Sequence, residues 1–238
     1  MRAFTAVAAA LVFAASAGAA GPPTLRVFAA SSLTEVFPTV DVRPDYSFAG
    51  SNQLAFQIRQ GAPADVFASA SPDFTRRLYR ERLVERPRVF AANELVLAVP
   101  RSNPARLRTV FDLRTKPVKL VVGTPQVPVG AYTRAVLRRL GLSGVLAKAV
   151  SLEPDVKGIV GKLALGEADA GFVYRTDVRA ASDRLRAIAL PPRSRPRVRY
   201  EVAVVRSSRS APVARAWVAR LLGARAQRLL REAGFHSP

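Results

Sequence analysis

From Leu25 onward the sequence repeats one unit: a short apolar run, then a small or hydroxyl-bearing residue, then the start of a helical pattern. A chain that alternates strand and helix in this way must cover its sheets with helices, so the repeat predicts an α/β fold with largely parallel sheets. The strand segments are "LRVFAA" (25–30), "RPDYSFA" (43–49), "ADVFASAS" (64–71), "NELVLAVP" (93–100), "KLVVGT" (119–124), "KAVSL" (148–152), "DAGFVY" (169–174) and "VRYEVAVVRSS" (198–208). Helical patterns lie between them: one from Ser51 closed by Gly61, one over 73–82 after Ser71 and Pro72, one over 131–141 and one over 156–166. The tail from Ala211 is helical, with an apolar face at Val213, Trp217 and Leu221.

The polar stretch "RSNPARLRTVFDLRT" ends the first set of units, and a second set with the same grammar follows. Two long strands, 94–99 and 200–205, bracket the middle section. This predicts two α/β lobes joined by two crossovers, the first made of 24–98 with 198–238 and the second of 99–197. Ligands usually sit in the cleft of such a pair.

Residues 1–20 carry one Arg, an apolar run and small residues in an Ala-x-Ala pattern, which reads as a secretory signal peptide. No apolar run long enough to span a bilayer follows it. The sequence has no Cys, so disulfides, a thiol nucleophile and a lipid-anchored cysteine are all ruled out. The expected location is the periplasm or an equivalent envelope space, free of a lipid anchor.

The formal net charge is +20, and all but five of the 37 basic side chains are Arg. The densest cluster, "PPRSRPRVRY" (191–200), contains one aromatic residue and lacks the interleaved stacking platforms of single-strand binders, so no nucleic acid partner is expected. A solvated basic surface is the simpler account. The alternative is a cationic envelope protein that binds polyanions, a mode that weakens steeply with salt. The only His is His236, so a Ser-His-Asp triad or a His/Cys metal site lacks its material. Neither a P-loop nor a dinucleotide glycine fingerprint occurs. The chain reads as a non-enzyme without a cofactor.

What recurs is the helix start. Ser32 with Glu35 fits a capping box, Ser51 follows Gly50 before the second helix, Pro128-Val129-Gly130 precedes the third, and Asp155-Val156 opens the fourth. Each start offers unpaired backbone N–H groups and the positive end of a dipole, the elements of an anion site. Taken singly, each also has a plainer account. A Ser before a helix is most often a cap, and a Tyr ending a strand, as Tyr174 does, is most often half-buried core.

Taken together, "VFAASSLTEVF", "FAGSNQLAFQIRQGAPADVFASAS", "NELVLAVP", "VPVGAYTRAVLRRLG", "EPDVKGIVGKLALGEADAGFVYRTD", "EVAVV" and "REAGF" resemble the periplasmic molybdate-binding proteins of ABC importers. The resemblance covers the whole mature chain in order. It implies a two-lobed type II periplasmic binding fold, each lobe a mixed, mostly parallel sheet flanked by helices, closing over a tetrahedral oxyanion. Carried onto matching positions, it implies an anion held by Ser32, Ser51, Val129, Val156 and Tyr174 through hydroxyl and backbone donors, with no direct coordination of the metal by protein. It further implies a monomeric receptor for molybdate and tungstate that serves a membrane permease and its ATPase. Sulfate, thiosulfate or another small oxyanion is the alternative ligand. The sequence departs from the family pattern in a short "PTVDVRPDY" segment, in Val129 where Ala is common, and in Asn52 where a hydroxyl is common.

Overall fold

In the computed structural model, which describes residues 24–238, two five-stranded mixed sheets form two lobes. The signal peptide read over 1–20 lies outside the described residues. The strands are β1 (Arg26–Ala30), β2 (Asp45–Ala49), β3 (Val66–Ser69), β4 (Arg88–Asn93), β5 (Leu95–Pro100), β6 (Leu120–Gly123), β7 (Ala149–Glu153), β8 (Ala170–Tyr174), β9 (Leu185–Ile188) and β10 (Val198–Val204). The first sheet has the order β2-β1-β3-β10-β4 and the second β7-β6-β8-β5-β9. In each, the first three strands run parallel, and one antiparallel strand, β10 or β5, joins them to an antiparallel edge. The two sheets therefore share one topology, with the interlobe strands at equivalent positions.

Between the strands run α1 (Phe37–Val40), α2 (Ser51–Arg59), α3 (Pro72–Arg80), α4 (Asp112–Thr115), α5 (Pro128–Arg139), α6 (Val156–Ala164), α7 (Arg175–Ala180), α8 (Ala211–Leu222) and α9 (Ala224–Glu232). Strand side chains alternate faces. In β3, Phe67 packs with Leu54, Ile58 and Leu78 of α2 and α3, while Val66 and Ala68 join the core on the other face. That core includes Phe37 and Trp217, whose rings meet edge-on at 5.5 Å. Among the described residues no helix is long and apolar enough to cross a membrane.

Four local expectations change. The run 93–100 is two strands, because pairing switches sheets at Glu94: β4 pairs with β10, and β5 pairs with β8 and β9. The strand read at 94–99 as the end of the first lobe thus belongs to the second sheet, and the break falls at Glu94 rather than at 98. The first helical segment is a 3-10 turn, Ser31–Leu33, followed by the single-turn α1. In α8 the buried face is Ala214, Trp217 and Leu221, while Val213 is exposed.

Candidate functional site

In open α/β sheets ligands gather at the carboxyl ends of the strands, where the strand order reverses. In both sheets that point lies beyond the parallel trio, and the two sets of strand ends face each other. From the first sheet come Ala30, Ser31 and Ser32 after β1, Ala49, Gly50 and Ser51 after β2, and Ala70 after β3. From the second come Val127, Pro128 and Val129 after β6, Val156 after β7 and Tyr174 at the end of β8. Together they line one cavity with about 10 Å³ open to the centre of a water-sized sphere, the room of about one water molecule. Ser32, Ser51, Val129, Val156 and Tyr174, the five residues expected from the sequence, all lie on this wall and are all buried. Asn52 is not on the wall.

Each strand-to-helix turn is fixed by local chemistry. Asp155 caps α6, its Oδ1 accepting from the N–H groups of Lys157 (2.7 Å) and Gly158 (3.2 Å), so the Val156 N–H at the first helical position is not taken up by the cap. The start of α5 lies so close to β6 that a Cβ on Gly130 would stand 1.9 Å from the Thr124 carbonyl oxygen. Arg134 clamps this turn by donating from one Nη to the carbonyls of Gly123 (2.8 Å) and Gly130 (3.0 Å). Burial lowers the pKa of that guanidinium. The Val129 side chain leans back toward Gly123, where an added Cβ would meet its Cγ1 at 2.8 Å.

The two serines are not caps. The N-cap of α2 is Gly50, and the Ser51 Oγ accepts instead from the Ala70 N–H at 3.1 Å. Ala30 precedes the 3-10 turn, and the Ser32 Oγ pairs with the Tyr200 hydroxyl at 2.8 Å, while Glu35 leaves the expected capping box to pair with Lys157. Tyr174 stands apart: its hydroxyl is buried without a hydrogen-bond partner among the described residues. Burial holds its pKa well above the ordinary phenol value, so the group stays a donor.

Among the described residues no charged side chain lines the cavity. An ion bridge stands beside it. Lys157 Nζ lies 2.7 Å from Glu35 of the first lobe and 3.3 Å from Asp177 Oδ1 of the second. Burial alone would lower the Lys157 pKa, but these two carboxylates outweigh it and hold it above the ordinary range. Burial pushes Asp177 up to about 6, against the pull of Lys157 and the Tyr174 N–H that its Oδ2 accepts. Among the described residues no cluster of His, Asp or Glu could hold a metal ion. The wall brings the hydroxyls of Ser31, Ser32, Ser51 and Tyr174 together with the first turns of α5 and α6, groups able to donate to a small, compact acceptor.

Sequence reasoning missed Tyr200 and Asn93 behind the wall: a Tyr in a strand carries only the signal of ordinary core, and Asn93 stands at the edge of an apolar run, where an Asn reads as a turn residue. It also missed Ala70, whose one visible cue is the run of small residues closing β3.

Residues 25–236 match the family described as bacterial extracellular solute-binding protein. The chain is 32% identical to the molybdate-binding protein ModA of Mycobacterium tuberculosis over 228 residues, covering 92% of this chain and 86% of that one. It is also 32% identical to the molybdate-binding protein ModA of Escherichia coli over 246 residues, covering 95% of each. Its fold superposes on the Azotobacter vinelandii periplasmic molybdate-binding protein with a TM-score of 0.78 at 22% identity, covering 90% of this chain and 99% of that one.

Proposed function

Because this chain belongs to the bacterial extracellular solute-binding protein family, we propose that it is the extracytoplasmic receptor for molybdate, and for tungstate, of an ABC importer. The protein is a binder and not an enzyme, as its relatives are. The observation that carries the molybdate reading is the cavity itself: hydroxyls of Ser32, Ser51 and Tyr174, with first-turn N–H groups of α5 and α6, around a space without a charged side chain. The unpartnered Tyr174 hydroxyl gives that space a ligand of acceptor character, since a buried donor left empty costs about 1–3 kcal/mol.

Energetics support the reading. A charge-assisted hydrogen bond contributes about 1.5–3 kcal/mol, and roughly 8 kcal/mol net already gives micromolar binding. A handful of aimed donors suffices even after ordering costs. With no fixed positive charge in the site, separation of the lobes is enough to release the anion to a membrane permease, a hinge motion of the kind used by other two-lobed binders. The same reading places the monomeric receptor free in the periplasm after removal of its signal peptide.

Isothermal titration with molybdate, tungstate, sulfate and phosphate tests this. We expect binding of molybdate and tungstate, and weakening by about tenfold or more on Ser51→Ala, which removes one charge-assisted donor. Heat from sulfate with none from molybdate would assign the site to another oxyanion, and full affinity in Ser51→Ala would remove that serine from it.

A further inference from the structure

Behind the cavity lies a buried chain of hydrogen bonds whose direction can be worked out. The Asn93 Oδ1 accepts from the Glu94 N–H at 2.9 Å, which fixes the amide flip and leaves Asn93 Nδ2 as the donating end. That nitrogen donates to Thr176 Oγ1 at 2.9 Å and, more weakly, to Tyr200 Oη at 3.4 Å. Tyr200 Oη has one further partner among the described residues, Ser32 Oγ at 2.8 Å. Asn93 Nδ2 is a donor and cannot accept, so the Tyr200 proton has a single acceptor within reach, the Ser32 oxygen. The Ser32 hydroxyl, with its oxygen engaged from behind, then has its own proton to give forward into the cavity.

We propose that Tyr200 and Asn93 are positioning residues for the anion site: they form a one-way chain, Asn93 to Tyr200 to Ser32, that commits Ser32 to donate to the ligand. Neither residue lines the cavity, so both act through Ser32. The inference rests on the reading that Ser32 contacts the oxyanion. The Tyr200 ring is fully buried among Phe90, Tyr174 and Phe235, with the Phe235 ring edge-on at 5.4 Å, so its packing does not depend on the hydroxyl. Chains of hydrogen bonds polarise one another in a low-dielectric interior, which strengthens the terminal donor. The Ser51 oxygen is engaged in the same way by the Ala70 N–H, but there the donor is backbone and no side-chain substitution removes it.

A double-mutant cycle read by calorimetric titration with molybdate tests the chain. Tyr200→Phe keeps the ring and deletes the hydroxyl; it should weaken molybdate binding about three- to tenfold, the effect of one neutral hydrogen bond. In a Ser32→Ala background the same substitution should cause no further loss. Equal weakening in both backgrounds would mean that Tyr200 acts through packing, and unchanged affinity in Tyr200→Phe alone would show that Ser32 needs no orientation; either result overturns the chain and leaves the site reading in place. If Ser32→Ala itself keeps full affinity, the assignment of Ser32 and the chain fall together. Should Tyr200→Phe fail to fold, Asn93→Ala replaces it in the same cycle, with the same expected silence in the Ser32→Ala background and the same overturning outcomes.

Discussion

Tyr174 carries a conflict between stability and function. Its hydroxyl is buried without a partner, and a polar group in that state destabilises the protein by about 1–3 kcal/mol. Tyr174→Phe should therefore leave the ligand-free protein equally or more stable by thermal melting, while weakening molybdate by about tenfold or more and shrinking the rise in melting temperature that molybdate confers. A variant that melts lower without ligand and binds as before would reverse the assignment. The sequence singled out this residue as a Tyr closing a strand, because that position is visible in a local pattern. It misread both serines as caps for a related reason. The partner of Ser32 is Tyr200, 168 positions away, and a capping pattern spans three residues. Residue identity told which groups could donate; only the fold tells what already holds them.

Among the elements, the turn after β2 has the tightest fit across the cleft. Gly50 has φ −59° and ψ 135°, a conformation open to any residue. What it lacks is room: a Cβ would stand 2.6 Å from the Pro154 carbonyl oxygen of the opposite lobe, 2.7 Å from Asn52 Oδ1 of its own lobe and 3.4 Å from Val127 Cγ2; the Asn52 amide can swing aside, the Pro154 backbone cannot. The glycine is there for the approach of the lobes. Gly50→Ala should leave the ligand-free melting temperature nearly unchanged and weaken molybdate by about tenfold or more, with X-ray scattering showing a less compact molybdate-bound form. Retained affinity with normal compaction would show that the lobes need not come this close. The strand-to-helix grammar behind these turns was legible, since each turn announces itself by small residues beside an apolar run. The elements that escaped, β4, α4, β9 and α7, lack that contrast. β4 runs into β5 through the single residue Glu94, so the two read as one strand. β9 is a four-residue, partly exposed edge, and short edges carry little alternation.

For the whole molecule, the two-lobed architecture could be anticipated from the sequence because two sets of strand-helix units repeat one grammar. The placement of the break could not, because Glu94 changes sheets without any change in composition. The surplus of positive charge stays outside the cavity; surface pairs such as Arg215 with Glu85 take up only part of it, since 37 basic side chains face 17 acidic ones. Such exposed pairs contribute little to stability, so the basic surface and the binding site are separate features. β10 has a different kind of importance. It lies between β3 and β4, and among the described residues β4 has no strand neighbour other than β10. The five strands of the second sheet, by contrast, all fall between Leu95 and Ile188. A chain ending at residue 197 should accordingly protect amides of β5, β6 and β8 from hydrogen exchange while leaving β4 unprotected, and protection of β4 in that chain would contradict it. Order of synthesis and order of assembly are thereby inverted: the first sheet begun is the last completed, and the growing polypeptide holds its opening strands in waiting until residues 198–238 arrive to bind them.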